Sequence, residues 1–268
     1  MNPPYNPATG HIPIPMPTST TQPVQALAFF GASGGVGHFA LVASLAAGHT
    51  CLALCRDPSK LDALRAQYPS TLVVHRGNAH NITDVLTCLT LPNNSGHLVS
   101  AITFTIGNKP DLKKMGEGDP LVCQKGMTSL LEALNVLRRE WGIRGQPLLC
   151  VVSTTGISET RDIPFLFYPL YHTLLAVPHR DKKVMEGLIA ASGERFVLVR
   201  PSLLWDGKRS KGSGVRVGIA DARTGVVERR EVGYTISREA VGEWMFENLI
   251  QRALDKGMFE GKAVSLTW

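Results

Sequence analysis

The fold of this chain is decided by one short segment, Gly31-Ala32-Ser33-Gly34-Gly35-Val36-Gly37. The run before it, Ala26–Phe30, has the composition of a buried strand, and Val36–Ala47 after it has that of a helix. Glycines at this spacing allow a sharp strand-to-helix turn, close approach of a diphosphate and close packing of helix on strand. Backbone N–H groups of Gly35 and Val36 would then face an anion at the helix N-terminus.

β-type and helical segments alternate along the rest of the chain. The further predicted strands are Thr50–Leu54, Leu72–His75, Leu98–Phe104, Leu148–Val152 and Phe196–Val199. The further predicted helices are Pro58–Tyr68, Ile82–Leu89, Pro120–Trp141 and Arg180–Ala191. This alternation predicts an α/β, Rossmann-like, doubly wound and mostly parallel sheet with helices on both faces.

The chain divides into an arm and one domain. Residues 1–24 are rich in proline and predict a flexible N-terminal arm. Residues 25–268 predict the Rossmann domain, in which 200–268 contribute a small C-terminal substrate-binding portion with a closing helix. The 268-residue length and 44% hydrophobic composition suit a globular chain of this kind.

Composition narrows the classes of function. The 28 Lys and Arg residues against 22 Asp and Glu give a net charge of +6, and neither aromatic interleaving nor a reading helix accompanies it, so no nucleic-acid partner is predicted. Five cysteines, an odd number without metal-ligand spacing, predict a reducing, cytoplasmic setting and no metal site. The apolar stretch 24–55 is interrupted by glycines, so we expect core rather than membrane. The oligomeric state stays open.

The end of the second predicted strand indicates the cofactor. An NAD-specific site would place an acidic residue there, on the ribose 2′-hydroxyl. Arg56 stands there instead and suits a 2′-phosphate, while Lys60 adds a second charge and Ser33 a hydrogen-bond donor. NADP(H) is therefore the predicted cofactor, although Arg56 and Lys60 could also be a solvated helix start.

From about Gln25 to its C-terminus the chain resembles the atypical short-chain dehydrogenases/reductases with NmrA-like NAD(P)-binding domains. The resemblance is carried by the glycine turn and by segments 56–61, 77–78, 152–156, 181–186, 200–204 and 234–238. It implies that the adenosine part of the cofactor is contacted by Asn78, Ala79, Ile106 and Gly107. It implies that the nicotinamide ring and its ribose are contacted by Ser153, Thr154, Lys182, Pro201, Leu203 and Leu204. It assigns the substrate lid to residues 205–234.

The chain departs from this group at the proton donor. Many reductases of the superfamily carry a tyrosine four residues before the lysine, where its lowered pKa lets it protonate a carbonyl. Counting back from Lys182 gives Pro178, and counting back from Lys183 gives His179. The substitutes nearby are His179, His172, Tyr171, Tyr168 and the hydroxyls of Ser153, Thr154 and Thr155. We predict a catalytic set of Lys182, Ser153, Thr154, His179 and Tyr171.

These observations favour one function and leave two others open. The first is an NADPH-dependent reductase of a small, largely apolar carbonyl or enone compound, in secondary metabolism, with the aromatic stretch 165–171 as pocket wall. The second is an isomerase or cyclase that retains NADP without net redox change, which the missing tyrosine suggests. The third is a non-catalytic, NADP-binding redox-sensing regulator. Polar residues around the nicotinamide favour an enzyme over a sensor.

Overall fold

The computed structural model describes residues 23–91, 96–107, 119–158, 176–207 and 214–268. Its strands are β1 (Ala26–Phe30), β2 (Thr50–Cys55), β3 (Leu72–Arg76), β4 (Ala101–Phe104), β5 (Leu148–Val152), β6 (Arg195–Pro201), β7 (Leu203–Trp205), β8 (Arg216–Asp221), β9 (Val227–Arg229), β10 (Thr235–Ser237) and β11 (Lys262–Thr267). Its α-helices are α1 (Gly35–Ala46), α2 (Asp62–Gln67), α3 (Ile82–Leu89), α4 (Val122–Arg139), α5 (Ala176–Ala191) and α6 (Arg238–Met245). A 3₁₀ turn, Pro58–Leu61, precedes α2, and a π-helical turn, Phe246–Ile250, follows α6.

Nine strands form one sheet in the order β3-β2-β1-β4-β5-β6-β11-β8-β9. The pairings from β3 to β11 are parallel, whereas β8 pairs antiparallel with both β11 and β9. Strands β7 and β10 form a separate parallel pair. The strand order reverses between β1 and β4, and in such sheets the ligand crevice lies beyond the carboxyl ends of the strands at this reversal. The predicted Rossmann-like fold class is confirmed.

Two apolar layers enclose the sheet, one on each face. One face packs on α1 and α6, and the other on α3, α4 and α5. Strand β1 serves both layers: Leu27 and Phe29 belong to the first core, and Ala28 and Phe30 to the second. This explains why its sequence does not alternate between polar and apolar residues, since a central parallel strand is buried on both sides.

Two strands lie within the segment assigned to the substrate lid. The described residues between Trp205 and Tyr234 include β8 and β9, which extend the sheet edge, and the lid role of this segment stays a prediction. None of the strands β7 to β11 is among the predicted strands. The pairing of β11 depends on residues far away in sequence, with β6 on one side and β8 on the other.

Smaller differences concern element ends. The predicted helix Pro58–Tyr68 is divided into the 3₁₀ turn and the short α2, because Asp57 caps the turn by accepting hydrogen bonds from the Ser59 N–H (3.3 Å) and hydroxyl (2.7 Å). Helix α5 begins at Ala176 rather than near Arg180. The predicted flexible arm lies outside the described residues up to position 22.

Candidate functional site

The glycine turn has the backbone geometry that its sequence predicts. Gly31 and Gly35 have φ angles of +96° and +64°, in the region that favours glycine. A Cβ on Gly37 would lie 2.3 Å from Thr105 Oγ1 and 3.0 Å from the Gly31 carbonyl oxygen, so the bare glycine is what lets α1 approach the end of β4. Thr105 is itself fixed there, since its N–H donates to the Phe30 carbonyl at 2.8 Å.

The N-terminus of α1 fits an anionic group. Among the described residues no side chain caps this helix, and its first turn contains no acidic residue. Its first N–H groups are therefore left for a ligand, and the helix dipole favours negative charge at this end. A Cβ on Gly34 would meet nothing within 4 Å, which leaves open space over the turn, and Ser33 beside it is exposed. These features suit a diphosphate.

Three basic residues gather at the ends of β2 and β3. Arg56 and Lys60 are exposed, which fits both the predicted 2′-phosphate site and a solvated helix start. Arg76 ends β3 directly opposite Cys55 and is exposed as well. Hydrogen bonds from Ser59, with the nearby charges of Lys60 and Arg76, lower the pKa of Asp57. The carboxylate of Asp57 is thus committed to capping the turn.

Sequence reasoning missed Arg76 at this site. Its position is a consequence of strand pairing, which brings the end of β3 beside Arg56. The available signal was its place as the last residue of a predicted strand whose neighbour ends in arginine.

The predicted adenine contacts follow β3. The Asn78 side-chain oxygen accepts from the His80 N–H at 3.1 Å, and its own N–H donates to Asp84 Oδ2 at 2.8 Å. The amide oxygen of Asn78 is therefore used within its own turn, which leaves its NH₂ group for a ligand. Ala79 is half-buried against the core on the α3 and α4 side.

Lys182 on α5 brings the predicted nicotinamide end together. Its ammonium donates to the carbonyl oxygens of Val152 (2.9 Å) and Ser153 (3.3 Å) at the end of β5. A Cβ on Gly107, beyond β4, would lie 4.0 Å from the same Nζ. Ser153 is 3% exposed, and its hydroxyl oxygen has no hydrogen-bond partner in the part of the chain that is described. A buried hydroxyl without a partner beside a lysine suits a polar ligand atom.

Asp181 fixes the orientation of α5. The side chain is buried, and its two oxygens accept from the N–H groups of Cys123 (2.8 Å) and Gln124 (2.9 Å) in the first turn of α4. This cap from a neighbouring helix holds α5 at one rotation, and Lys182 follows Asp181 directly. The sequence marked Asp181 only as part of a family motif, because nothing in it shows which helix the carboxylate caps.

Cys123 completes the packing behind this cap. Its thiol donates to the Ile106 carbonyl oxygen at 3.3 Å, which ties α4 to the residues after β4. Burial raises the pKa of the Cys123 thiol to about 12. The thiol therefore stays neutral and acts in packing rather than as a nucleophile. Ile106 is predicted as a cofactor contact, and here its carbonyl is already engaged.

Glu186, one turn beyond Lys182, pairs with another element. Both of its carboxylate oxygens accept from the Arg200 guanidinium, at 3.0 Å and 2.6 Å, so it ties α5 to the end of β6. Arg200 also donates to the Ser158 hydroxyl at 2.7 Å. A two-bond pair of this kind is stronger than a single contact and holds α5 against the sheet.

The predicted proton donors are only partly described. Pro178 lies in the first turn of α5, where proline removes no helical hydrogen bond. His179 is half-buried and stands three residues before Lys182, so both project from the same face of the helix. Tyr171, like Tyr168 and His172, lies outside the described residues.

The segment after β6 presents alternate side chains to opposite sides. The Pro201 carbonyl accepts from the Thr155 N–H (3.1 Å) and hydroxyl (3.3 Å), which joins the ends of β5 and β6. Leu203 is 36% exposed, whereas Leu204 packs against the core on the α1 and α6 side. Of Leu203 and Leu204, only Leu203 has a side chain classed as exposed. Thr154, between Ser153 and Thr155, is half-buried.

Metal-ligand clusters and membrane-spanning helices are both absent from the described residues. Within those ranges, no three His, Cys, Asp or Glu side chains come together as metal ligands would. The helices in the same ranges are all too short or too polar to cross a bilayer. The five cysteines are buried, unpaired thiols: Cys51, Cys55, Cys88, Cys123 and Cys150.

Comparison with solved structures gives the same fold. A short-chain dehydrogenase/reductase from Veillonella parvula, solved in complex with NADP, superposes with a TM-score of 0.63 at 14% identity and covers 91% of this chain and 94% of its own. The anaerobillin reductase ChuY from Escherichia coli O157:H7 gives a TM-score of 0.61 at 17% identity, over 90% of this chain and 96% of its own. At these identities the likeness shows the fold alone.

Comparison by sequence is more specific. The reductase PytE of Aspergillus terreus is 38% identical over 262 residues, which span 90% of this chain and 97% of PytE. The oxidase PynE of Aspergillus niger is 33% identical over 279 residues, spanning 90% of this chain and 98% of PynE. The profile of one family, described as NAD(P)H-binding, matches residues 31–252, from the first glycine of the turn to beyond α6. This chain therefore belongs to the NAD(P)H-binding family.

Proposed function

We propose that this chain is an NADP(H)-dependent reductase of a small, largely apolar carbonyl or enone compound. One observation carries the proposal: the Lys182 ammonium lies on the Val152 and Ser153 carbonyls, beside the buried Ser153 hydroxyl that has no partner among the described residues. A site that only stored the cofactor would not need these polar groups at its nicotinamide end. The names of the two Aspergillus relatives, a reductase and an oxidase, agree with redox chemistry.

The preference for NADP(H) rests on charge. Arg56, Lys60 and Arg76 are exposed basic residues at the ends of β2 and β3, where the adenosine ribose is expected. A guanidinium binds a phosphate through two parallel hydrogen bonds, whereas an NAD-specific site would offer a carboxylate to the ribose hydroxyls. The nearby carboxylates are used within the protein: Asp57 caps the 3₁₀ turn, and Asp84 accepts from the Asn78 N–H.

The residues of the site have separate roles in the proposed reaction. When bound, the reduced nicotinamide supplies a hydride, which is two electrons and one hydrogen nucleus. Lys182 holds the nicotinamide ribose and keeps positive charge beside the reacting centre. Ser153 or Thr154 donates a hydrogen bond to the substrate oxygen, where negative charge develops. One proton then completes the reduction of a single C=O or C=C bond.

The proton must come from a group other than the usual tyrosine. His179 shares a helix face with Lys182, which makes it a suitable donor; Tyr171 and water are the alternatives. Because an imidazole titrates near neutral pH, a histidine donor gives a rate that falls as the pH rises through the pKa of that histidine. A tyrosine donor keeps the rate constant to higher pH.

The same site could also catalyse the reverse reaction, in which hydride passes from the substrate to the oxidised cofactor. The Aspergillus niger relative is named an oxidase, and hydride transfer is reversible on one set of residues. We propose reduction as the working direction, because the reductase is the more similar of these two relatives. The buried, unpaired thiols suit the reducing conditions of the cytoplasm, where we place the reaction within secondary metabolism.

Loss of NADPH absorbance with a panel of quinones and enones tests the proposal, with NADP⁺ and the corresponding alcohols for the reverse direction. We expect turnover with at least one compound, faster with NADPH than with NADH, and abolished in Lys182→Met. If NADPH binds but no compound is turned over, the reductase proposal fails. Product formation that does not depend on the oxidation state of the cofactor would instead favour an isomerase.

A further inference from the structure

Arg238, the first residue of α6, lies over the glycine turn. A Cβ on Gly35 would be 3.9 Å from the Arg238 Cδ, so the Arg238 side chain passes beside the first residue of α1. The predicted cofactor contacts from the C-terminal part are Pro201, Leu203 and Leu204, all at the nicotinamide end. Arg238 is at the opposite, diphosphate end of the same crevice.

Close packing of two helices fixes this position. A Cβ on Gly242 would lie 2.6 Å from Phe39 Cβ and 2.8 Å from the Val36 carbonyl oxygen, so the backbone of α6 rests directly on α1. Gly242 is one turn after Arg238, as Phe39 is one turn after Gly35. The two helices therefore begin side by side, which keeps the Arg238 backbone beside the α1 N-terminus.

Asp206 holds the guanidinium from the other side. Strands β7 and β10 pair in parallel with Trp205 opposite Ser237, which places the next residues, Asp206 and Arg238, side by side. The Arg238 Nη1 donates to Asp206 Oδ1 at 2.9 Å. The Asp206 side chain is 87% exposed and that of Arg238 is 24% exposed. An ion pair so open to water is weak and readily exchanged.

A diphosphate is a stronger partner than this carboxylate. It carries two negative charges and offers several acceptor oxygens to the planar guanidinium. The α1 N-terminus attracts the same anion, and no acidic side chain stands in its first turn. Arg238 thus has a weak partner where it lies and a strong one, when cofactor is bound, within reach of its flexible side chain.

We propose that Arg238 binds the cofactor diphosphate and that Asp206 holds its guanidinium until the cofactor displaces it. The C-terminal part of the chain then closes the diphosphate site opposite the glycine turn, by exchange of one ion pair for another. This inference rests on membership of the NAD(P)H-binding family and not on the proposed reductase activity.

Dissociation constants of NADP⁺ and NAD⁺, measured by calorimetry on the full chain, test the exchange. Both cofactors contain the diphosphate, so Arg238→Gln is expected to weaken both by the same factor, about ten- to a hundred-fold. Asp206→Asn removes the competing carboxylate and is expected to tighten both about two- to five-fold. Arg56→Ala is the matched control, because it removes a guanidinium from the 2′-phosphate and should weaken NADP⁺ alone.

The two substitutions are expected to change the dissociation constants in opposite directions, which distinguishes the proposed exchange from an ion pair with a purely structural role. If the ion pair only holds β7 to α6, Arg238→Gln and Asp206→Asn will both weaken binding and both lower the midpoint of thermal unfolding without cofactor. That result overturns the proposal, as does unchanged binding in Arg238→Gln. Should Arg238→Gln fail to fold, Asp206→Asn decides: weaker binding in this variant contradicts the exchange, and tighter binding supports it. Absence of reductase turnover would leave these binding constants unaffected.

Discussion

The two ends of the candidate site are built in different ways. The diphosphate end consists mainly of backbone, with glycines that remove side chains so that α1 can approach β4 and an anion can approach α1. The nicotinamide end consists of side chains from separate elements, in which Lys182 meets the carbonyls after β5 and Asp181 caps α4. The first end is encoded in seven consecutive residues, whereas the second exists only once the helices are packed.

If activity depends on the placement of side chains at the nicotinamide end, Lys182→Met should cause the largest loss of activity. It removes the charge on the Val152 and Ser153 carbonyls, and we expect kcat to fall about a hundred-fold or more. Lys183→Met is the control, because Lys183 is exposed, lies about 100° further round the helix than Lys182 and should keep full activity. Steady-state kinetics of both variants decide the matter. A loss confined to Lys183→Met would move the catalytic lysine by one position and align His179 with the usual tyrosine.

The second-largest effect is expected from loss of the cap that Asp181 provides to α4. Asp181→Ala leaves two N–H groups of α4 without their acceptors, and we expect a loss of about 3 kcal/mol in the free energy of unfolding. Since Asp181 positions Lys182, kcat should fall while KM for the substrate changes little. Asp181→Asn keeps one acceptor oxygen and should recover part of both losses. Denaturant unfolding and kinetics measure the two quantities, and a variant that loses stability with unchanged kcat would show that the cap does not position Lys182.

At the backbone end the decisive change is the addition of one methyl group. Gly37→Ala places a Cβ 2.3 Å from Thr105 Oγ1, and we expect a loss of about 2 kcal/mol in stability together with weaker NADP⁺ binding. Gly34→Ser is the control for stability alone, since its side chain enters open space at a helix N-cap that favours serine. Thermal unfolding compares them. Equal stability of the two variants would mean that the turn is not limited by packing.

The smallest expected effects are those of the arginine substitutions on the preference for NADP⁺ over NAD⁺. Arg56→Ala and Arg76→Ala should each reduce the ratio of NADP⁺ to NAD⁺ affinity about ten-fold, because each removes one charge-assisted contact with the 2′-phosphate. Arg65→Ala is the control, for Arg65 is exposed and pairs with Asp62 at 3.3 Å on α2. Calorimetry with both cofactors provides the ratios. An unchanged ratio in Arg76→Ala would leave Arg56 and Lys60 as the recognition pair.

Sequence reasoning succeeded where a feature is local. Helix Ile82–Leu89 and strand Leu148–Val152 have the predicted bounds, and the glycine turn stands between its predicted strand and helix. These elements carry their own signals, which are an N-cap, an apolar run or a glycine spacing. The 38% identical reductase and the family match from residue 31 extend this agreement to cofactor-dependent redox chemistry.

It failed where a feature depends on a distant partner. β11 is defined by β6 and β8, Asp181 by the first turn of α4, and Arg76 by the register of β3 on β2. Charged and polar residues of this kind look like ordinary surface residues in a sequence, because the same side chain at the same spacing can end exposed or buried. Only the packed fold distinguishes them.

The contact of Gly242 on α1 has a consequence for how this protein can be re-engineered. Helix α6 packs on α1, so these two helices are expected to move together. A chimera that exchanges the C-terminal third with that of a relative must exchange α1 as well, or the new α6 will meet a surface shaped for another helix. Even a small side chain at position 242 would push α1 and α6 apart and displace the glycine turn at the start of α1.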